Sequence, residues 1–507
     1  MFSRHNSVGL FGIESYMVQV EADLSGGFPS FDIVGLPDTA VKESRDRVRS
    51  AFGNSGFIFP VGKLTVNLAP ANVRKEGSLY DLPILISILS VSRLLESDLD
   101  DAAFIGELSL DGAVRSVNGI LAMVIEAKAS GIKRFFLPAD NAAEGAVVEG
   151  IEIYPVSSVT QLMKHLRGEE FITPAHPSSI AAKISLPMPD FCEVKGQAAA
   201  KKALEIAAAG GHNVLLIGPP GSGKSMLAKR LPSILPEMSF EESIETTKIH
   251  SIAGMLSKGS PLVTSRPFRA PHHTVSPAGL TGGGAIPRPG EISLAHNGVL
   301  FLDELPEFSR VTMEVLRQPL EDGKVTISRA AGTLTYPSAV TMVAAMNPCP
   351  CGFFGHPTKA CTCSPLSASK YLTRVSGPML DRLDLHIEVP PVNFDELAGG
   401  GAEETSAEIR ARVSAARKTQ QRRYEGTGIT CNARLTAAMQ EEYCAMTDKA
   451  SALLKTAFEK LSMSARAYDR VLKVARTIAD LSGDEVIDAS HISQAIQFRS
   501  LDRKYWR

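Results

Sequence analysis

The chain has 507 residues, of which 44% are hydrophobic and 21% are charged. This balance is typical of globular proteins and excludes global disorder, and the length predicts about three domains. No apolar run is long enough for a membrane-spanning helix, and the N-terminus shows no secretory signal, so we expect a cytoplasmic protein without a membrane partner. With 53 basic and 55 acidic residues the net charge is −2. Any surface that binds nucleic acid must therefore concentrate positive charge locally.

The first part of the chain alternates short β-like runs with helical patterns. Strands are predicted near residues 15–20, 30–34, 63–68 and 134–137, and helices near 39–50 and 119–130. This pattern predicts an α+β domain over residues 1–168. The proline-rich stretch that follows predicts a linker over residues 169–190.

From residue 191 onwards strands and helices alternate, which is typical of a parallel sheet with crossover helices. We assign this α/β core to residues 191–395, with a cysteine-rich insert at 349–363. Residues 396–507 are rich in Ala, Arg, Leu and Glu with helical periodicity. They predict a helical C-terminal domain.

The strongest motif is a phosphate-binding loop that matches G-x-x-x-x-G-K-[ST] at every fixed position. Its residues are Gly218, Pro219, Pro220, Gly221, Ser222, Gly223, Lys224 and Ser225. Glycines let backbone N–H groups surround a phosphate, and the following helix adds partial positive charge. We expect Lys224 to contact the β- and γ-phosphates of ATP and Ser225 to hold Mg²⁺. The alternative is a chance turn, which the flanking strand and helix disfavour.

Two later strands end in polar residues that complete such a site. Asp303 and Glu304 follow an apolar strand, and Asn347 follows the strand at residues 340–346. Asp303 is expected near Mg²⁺, Glu304 is expected to activate the attacking water, and Asn347 is expected to position that water. The alternatives are a solvent-facing strand end for the two acids and a turn before proline for Asn347.

Two arginines are candidates for contacting the γ-phosphate. Arg382 lies just before the strand at residues 385–389, where it is expected to reach the nucleotide of a neighbouring subunit. Arg466 opens a C-terminal helix and shares one face with Arg470, and we expect it to sense the nucleotide of its own subunit. The alternative for both is a surface salt bridge.

Four of the seven cysteines form two C-x-C pairs separated by nine residues. Cys349, Cys351, Cys361 and Cys363 are candidate ligands of a tetrahedral Zn²⁺, and disulfides are rare in the cytoplasm. In one alternative His356 replaces a cysteine ligand. In another the four cysteines are simply reduced thiols in an ordered loop.

The order of these motifs resembles that of AAA+ ATPases of the magnesium-chelatase-like branch. Further segments are similar to the ComM (YifB) family, namely FDIVGLPD at 31–38, PFRAPHHT at 267–274, GEISLAHNGV at 290–299, NPCPCG at 347–352 and SGPMLDRLDLH at 376–386. The resemblance covers nearly the whole chain. It implies a P-loop AAA+ core with a helical lid, a homohexameric ring, and a motor on single-stranded and branched DNA. It also implies a role in natural transformation and branch migration, with a recombinase as a further partner.

The resemblance also makes residues 1–168 similar to the C-terminal, ribosomal-S5-like domain of Lon protease. A Lon-type peptidase needs a serine within K-D-G-P-S-A-G and an activating lysine. Here residues 75–81 read KEGSLYD, with Leu79 or Tyr80 at the nucleophile position, and residues 118–123 contain no lysine. We therefore predict no peptidase activity. We expect the domain to guide DNA or stabilise the ring, as in the similar domain of RadA.

In related ring motors a hairpin before the sensor strand lines the pore, and residues 321–336 alternate like such a hairpin. Lys324 and Arg329 are expected to grip DNA phosphates there. A second pore element is expected from His272-His273 and from Gly282–Gly284 with Arg288. The helix at 409–424 offers a basic face formed by Arg410, Arg412, Arg417, Lys418, Arg422 and Arg423. The alternative for each is a solvated face or a subunit interface.

The primary hypothesis is thus an Mg²⁺- and ATP-dependent hexameric DNA motor, a branch-migration helicase that promotes recombination. The alternative is a magnesium-chelatase-like ATPase that remodels a partner protein and does not act on DNA. A Lon-like protease is a third hypothesis, which the absence of a Ser/Lys pair disfavours.

Overall fold

The structure is a computed structural model that describes residues 1–176, 188–256, 260–284, 287–329, 332–356, 358–392, 403–461, 463–499 and 501–506. Part of the predicted linker, the predicted boundary between residues 395 and 396, and the side chain of Arg329 lie outside the described residues. The chain forms two compact units. The first comprises Met1–Ile184, Phe240–Val263 and Ser328–Tyr336, and the second comprises Ser185–Ser239, Thr264–Ile327 and Pro337–Arg507.

The N-terminal part of the first unit is built on one mixed sheet. Its strands are β1 (Phe2–Phe11), β2 (Glu14–Ser25), β3 (Ser30–Val34), β4 (Lys63–Ala69), β5 (Ala102–Phe104), β6 (Glu107–Leu108), β7 (Val114–Arg115), β8 (Arg134–Pro138) and β9 (Glu152–Val156). Its helices are α1 (Thr39–Asn54), α2 (Asp81–Val91), α3 (Ile120–Ala129), α4 (Ala142–Gly145) and α5 (Val159–Leu166). The seven-stranded sheet has the order β3-β4-β2-β1-β5-β8-β9, and β6 pairs with β7. The predicted α+β pattern is confirmed, since each strand and helix expected from the sequence is present.

The apolar helix α2 forms the centre of this unit. Its sequence DLPILISILSV is buried along its whole length apart from Ser90, and it packs against β1 and β2. A helix that is apolar on every side must be enclosed by other elements. The sheet and α1 therefore enclose α2 and bury the longest apolar run of the sequence.

A buried histidine makes the stability of this unit depend on pH. His5 on β1 is 7% exposed, and its Nε2 atom lies 2.9 Å from the Ser90 hydroxyl. Burial lowers the pKa of His5 to about 4, although the charge of Asp100 opposes the shift. In the unfolded chain His5 takes up a proton near pH 6.5, whereas in the folded chain it does so only near pH 4. The free energy of unfolding is therefore highest above pH 6.5 and decreases as the pH falls towards 4.

We expect the free energy of unfolding to decrease by about 2 kcal/mol when the pH is lowered from about 7.5 to about 5. His5→Gln removes the titrating group, so its free energy of unfolding should lose that part of the pH dependence. Urea denaturation of both proteins at the two pH values measures the difference. Equal pH dependence in wild type and variant would contradict the assignment.

The rest of the chain supplies a second sheet and most of the helices. Its strands are β10 (Val214–Ile217), β11 (Phe268–Arg269), β12 (Gly282–Gly283), β13 (Arg288–Pro289), β14 (Val299–Leu302), β15 (Lys324–Arg329), β16 (Gly332–Pro337), β17 (Thr341–Met346) and β18 (Leu385–Glu388). Its helices up to the sheet's last strand are α6 (Ala198–Gly210), α7 (Lys224–Ile234), α8 (Phe240–Ile252), α9 (Pro277–Thr281), α10 (Glu291–Leu294), α11 (Arg310–Glu314), α12 (Arg317–Asp322), α13 (Pro365–Leu372) and α14 (Gly377–Leu380). The C-terminal helices are α15 (Ser406–Arg423), α16 (Ala437–Tyr443), α17 (Asp448–Leu461), α18 (Ala465–Ser482), α19 (Ala489–Gln497) and α20 (Leu501–Trp506).

The second unit is organised around a five-stranded parallel sheet with the order β11-β14-β17-β10-β18. Strands β10, β14 and β17 are buried throughout, as their apolar sequences predicted. Because all five strands are parallel, their C-terminal ends share one edge of the sheet and their N-terminal ends share the other. No helix in the part of the chain that the structure describes is long and apolar enough to span a membrane.

Two segments of the expected ATPase core belong to the first unit. Ser251, in the last turn of α8, accepts a hydrogen bond of 2.8 Å from the N–H of Gly119 and donates one of 2.6 Å to Glu144. Leu334 on β16 packs closely on Gly12, since a Cβ added to Gly12 would lie 2.7 Å from the Cδ2 atom of Leu334. These contacts join residues far apart in sequence, so motif spacing did not predict them.

Candidate nucleotide-binding site

The predicted phosphate-binding loop lies between β10 and α7, as the sequence indicated. Gly221 and Gly223 have φ values of +77° and +90°, in the left-handed region that favours glycine. A Cβ on Gly218 would lie 2.2 Å from the Val389 carbonyl oxygen, so no larger residue fits there. The loop therefore forms a cradle of exposed backbone with the shape that a phosphate group requires.

Lys224 begins α7 and is buried at the centre of the loop. Its Nζ atom donates to the carbonyl oxygens of Gly218 and Pro219, at 2.7 and 2.9 Å, and to Oδ1 of Asn347 at 3.2 Å. Burial lowers the pKa of Lys224 below its usual value, and the charge of Asp303 opposes this shift. The structure therefore brings the loop lysine and the strand-end asparagine together, as the sequence predicted.

Ser225 and Asp303 form the second half of the site. The Ser225 hydroxyl donates to Oδ2 of Asp303 at 2.7 Å, and Asp303 follows β14 directly. A hydroxyl and a carboxylate are hard oxygen donors of the kind that Mg²⁺ prefers. These residues therefore fit a nucleotide-bound Mg²⁺.

Glu304, the expected catalytic base, lies at the same edge of the sheet. Its N–H donates to Oδ1 of Asp303 at 3.0 Å, and its backbone is left-handed with φ 53° and ψ 46°. One carboxylate oxygen lies 3.4 Å from Nδ1 of His273. The sequence assigned His273 to a pore element and did not predict this contact. No local signal indicated it, because the contact depends on the pairing of the short strand β11 with β14.

Arg382 lies at the opposite edge of the sheet. It is 7% exposed, donates to the Pro378 carbonyl at 2.5 Å and forms an ion pair with Glu321. The backbone of Asp384, two residues on, donates to the carbonyl of Asn213, which immediately precedes β10. The structure therefore places Arg382 beside the start of β10, whereas the phosphate-binding loop follows the end of that strand.

Arg466 lies with Arg382 rather than with the phosphate-binding loop. Its guanidinium is 3.6 Å from a carboxylate oxygen of Asp381, the residue that precedes Arg382. Arg470, on the same helix face, is 3.7 Å from Asp384. The expectation that Arg466 senses its own subunit's nucleotide needs correction, since α18 packs its N-terminal turn against the far edge of the sheet.

The four clustered cysteines converge on one point. Their Sγ atoms all lie within 4.8 Å of one another, with separations of 3.4 Å between Cys349 and Cys351, 3.7 Å between Cys349 and Cys361, and 3.6 Å between Cys351 and Cys361. Four thiolates bound tetrahedrally to Zn²⁺ at ~2.3 Å have neighbouring sulfurs about 3.8 Å apart. All seven cysteines lie in described residues and none forms a disulfide. The donor set therefore fits Zn²⁺.

The surroundings of the cluster favour metal ligation. Hydrogen bonds from the backbone of Phe353 and Thr362 lower the pKa of Cys351 to about 5, which favours the thiolate that a metal requires. The pKa of Cys361 is raised to about 12 and that of Cys363 is also raised, because adjacent sulfurs do not all ionise without a cation between them. His356 is directed elsewhere, since its Nδ1 atom accepts from the N–H of Thr358 at 3.1 Å. A Cβ on Gly352 would lie 2.4 Å from Cδ of Pro220, so the cysteine loop packs directly on the phosphate-binding loop.

The predicted hairpin is present as β15 and β16, which form a two-stranded sheet. Its strands are amphipathic, with Val325 and Ile327 buried and Lys324 exposed. Arg329 ends β15, but its side chain lies outside the described residues. The exposed position of Lys324 suits the phosphate contact expected of it.

The predicted basic face of α15 is half engaged within the second unit. Half of its six cationic side chains have internal partners, with Arg412 bound to Glu205 and Glu404, Arg417 bound to the Ala208 carbonyl, and Arg423 bound to Asp480. Two of these three arginines form ion pairs, and the third donates a hydrogen bond to a backbone carbonyl, which leaves the charge of Arg417 uncompensated. A nucleic-acid contact at this helix stays a prediction.

The Lon-like segment of the first unit buries the two candidate positions for a nucleophile. Leu79 and Tyr80 are both buried, and residues 118–123 contain no lysine. The hydroxyl of Ser78 donates to Glu107. The absence of peptidase activity stays a prediction.

The parallel sheet, its phosphate-binding loop, the acids after β14 and the helical C-terminal region together define a P-loop ATPase fold of the AAA+ class with a lid. Profiles of the magnesium chelatase subunit ChlI match residues 190–397 and 20–141, and a profile of the ChlI C-terminal region matches 403–499. Competence protein ComM of Haemophilus influenzae is 43% identical over 501 residues, which cover 97% of this chain and 96% of ComM.

YifB of Escherichia coli is 42% identical over 496 residues, which cover 97% of this chain and 96% of YifB. The Lon protease of Azospirillum brasilense is 28% identical over 148 residues, which cover 28% of this chain and 18% of that protease. The chain belongs to the ComM/YifB family of magnesium-chelatase-like AAA+ ATPases.

Proposed function

We propose that the protein is a homohexameric, ATP-dependent DNA motor that drives branch migration and so promotes recombination of incoming single strands. Lys224 and the loop N–H groups bind the ATP phosphates, and Ser225 and Asp303 hold Mg²⁺, which neutralises phosphate charge when bound. Glu304 takes a proton from the attacking water, and Asn347 orients that water. We also propose a cytoplasmic location and a recombinase as a partner.

The observation that carries this proposal is that the phosphate-binding residues lie at one edge of the parallel sheet, whereas Arg382 and Arg466 lie at the opposite edge. Strand β10 has four residues, so the five steps from Asn213, beside Arg382, to Gly218 of the phosphate-binding loop span roughly 16 Å. Arg382 therefore does not reach the phosphates held by its own chain. We propose that Arg382, together with Arg466, contacts the nucleotide of the adjoining subunit, which makes hydrolysis depend on a ring.

The assignment of DNA as the polymer rests on separate support. The relative from Haemophilus influenzae that is similar over almost the whole chain is named a competence protein, and competence is the uptake of DNA. Within this chain, Lys324 stands exposed on a two-stranded hairpin of the ATPase segment. A lysine at such a position contacts phosphates without reading the base sequence.

The test is ATP hydrolysis with and without single-stranded and forked DNA. We expect several-fold stimulation by both, with a larger effect of the forked substrate. A rate that no DNA changes would contradict the DNA motor and favour an ATPase that remodels a partner protein.

We further propose that Cys349, Cys351, Cys361 and Cys363 bind Zn²⁺, which closes the loop after β17. The support is the sulfur spacing and the packing of Gly352 on Pro220 described above. A closed loop at this point stabilises the conformation of the phosphate-binding loop beside it.

The purified protein should contain about one zinc ion per chain, as measured by plasma mass spectrometry. The double variant Cys351→Ser/Cys361→Ser should lose the metal and bind ATP several-fold more weakly. Cys192→Ser, outside the cluster, is the matched control and should keep both. Stoichiometric iron, or a double variant that retains zinc, would contradict the assignment.

A further inference from the structure

The three most exposed large hydrophobic side chains in the described part of the chain lie on two loops of the first unit. Phe28 is 93% exposed, Ile58 is 88% exposed and Val61 is 84% exposed. Phe28 lies between β2 and β3, whereas Ile58 and Val61 lie between α1 and β4. The two loops adjoin, because the N–H of Ser30 donates to the carbonyl of Gly62 at 3.2 Å. We call Phe28, Ile58 and Val61 the apolar corner.

The loops beneath the apolar corner are well packed. The ring of Phe59 lies edge-on against that of Phe52, with centroids 5.3 Å apart, and 5.6 Å from that of Phe31. Phe31 and Phe52 are buried. A Cβ on Gly62 would lie 2.7 Å from the Ser25 carbonyl oxygen, so the end of β2 also lies against the second loop. Exposed apolar side chains on such a packed base are typical of a binding surface.

Three exposed cationic side chains flank the apolar corner, namely Arg49, Lys63 and Arg167. The guanidinium groups of the two arginines lie 5.5 Å from the ring centroid of Phe59 and 5.7 Å from that of Phe57, the two residues next to Ile58 in sequence. Lys63 begins β4, directly after the second loop. None of the three cations forms an ion pair with a carboxylate of the described residues.

The acidic side chains of the neighbouring elements do not neutralise this charge. Asp23 and Asp32 lie on the strands that flank β4, two register positions along from Lys63, and Asp23 pairs with the N-terminal ammonium at 3.6 Å. On α1, Asp46 lies 3.3 Å from the guanidinium of Arg45. The apolar corner is therefore bordered by positive charge that is available to a partner.

An apolar surface bordered by cations has the chemistry that recognises unpaired nucleotides. Aromatic and aliphatic side chains stack on bases or insert between them, and cations contact the adjoining phosphates. A second copy docked symmetrically through the same surface would set these cations against one another, which disfavours that occupant.

We propose that the apolar corner binds unpaired bases at the branch point of DNA, with Phe28 stacked on a base and with Arg49, Lys63 and Arg167 on the flanking phosphates. This inference rests on the proposed DNA motor and adds a DNA contact in the first unit to the one expected of Lys324. Insertion of apolar side chains at a branch point keeps the separated strands apart.

Phe28→Trp tests the contact directly, because stacking on a base quenches indole fluorescence. The chain has one tryptophan, Trp506, whose signal is subtracted by measuring the wild type in parallel. Saturating single-stranded oligothymidylate should quench the added fluorescence by about half. The matched control is Phe240→Trp, because Phe240 is also exposed but is followed by Glu241 and Glu242 in the first turn of α8. Its fluorescence should not change.

A second measurement tests the contribution to binding. Phe28→Ser/Ile58→Ser should weaken the binding of single-stranded DNA about tenfold and leave DNA-free ATP hydrolysis unchanged, since neither residue touches the nucleotide site. Arg49→Gln/Lys63→Gln should make binding less dependent on salt concentration, because two phosphate contacts are lost. Phe240→Ser is the control and should bind DNA like the wild type.

Unquenched Phe28→Trp, or an unchanged DNA affinity of Phe28→Ser/Ile58→Ser, would overturn the inference. Sedimentation of the serine variant as smaller assemblies than the wild type would also overturn it, because the apolar corner would then join copies of the chain. A wild type whose ATP hydrolysis no DNA changes, combined with quenching of Phe28→Trp, would contradict the proposed motor and not this contact. The two failures are therefore distinguishable.

Discussion

Glu304→Gln should lower the rate of ATP hydrolysis by at least about 100-fold and leave ATP binding intact. The amide has nearly the size of the carboxylate but does not accept a proton from the attacking water. The contacts of Lys224 and Ser225 with the phosphates and Mg²⁺ do not involve Glu304, so affinity should stay the same. Phosphate release measures the rate, and equilibrium binding of a fluorescent ATP analogue measures the affinity.

Two further variants serve as controls for Glu304→Gln. Glu307→Gln is the matched control, because Glu307 is three residues away and pairs with Arg374 at 2.9 Å, so hydrolysis should continue. Lys224→Ala should lose ATP binding as well as turnover. Hydrolysis by Glu304→Gln at the wild-type rate would show that another group activates the water.

Arg382→Ala should lower hydrolysis by about 1,000-fold, because an arginine that stabilises the transition state contributes about that factor or more. Lys224→Ala should be equally inactive. If Arg382 acts on a neighbouring subunit, an equal mixture of the two variants contains some intact sites. Such a site forms where an Arg382→Ala subunit, which binds ATP, adjoins a Lys224→Ala subunit, which supplies the arginine. Random mixing then restores about a quarter of the wild-type sites.

The mixture distinguishes action between subunits from action within one. Differently tagged subunits, purified through both tags in sequence, confirm that mixed assemblies form. Phosphate release by those assemblies is the readout, and each single variant alone is the control. Mixed assemblies as inactive as their parents would contradict the proposed role of Arg382.

Much of the nucleotide site could be predicted because its signals are local. The glycine pattern of the phosphate-binding loop indicates a left-handed turn. The strands before that loop and before Asp303 are continuous apolar runs, which indicates that both are buried. Since parallel strands end at a common edge, the meeting of Lys224, Asp303 and Asn347 also followed from the sequence. The convergence of the cysteines was predictable for a similar reason, because each C-x-C pair spans three residues and only nine residues separate the two pairs.

The features that the sequence did not predict depend on neighbours far along the chain. The basic face of α15 could not be judged without Glu205, which lies on α6 and binds Arg412 at 2.6 Å. The contact of His273 with Glu304 needed the order of strands in the sheet. The position of Arg466 could not be predicted, because helical periodicity shows which residues share a face of α18 but not which edge of the sheet that helix contacts.

The most direct measurement of the central claim is the conversion of a labelled four-way DNA junction into its separated duplexes. The wild type should convert the junction only with ATP and Mg²⁺, at a rate that rises with assembly, and Glu304→Gln should bind the junction without converting it. Junctions that remain intact while the wild type hydrolyses ATP would contradict the account of a motor that moves DNA.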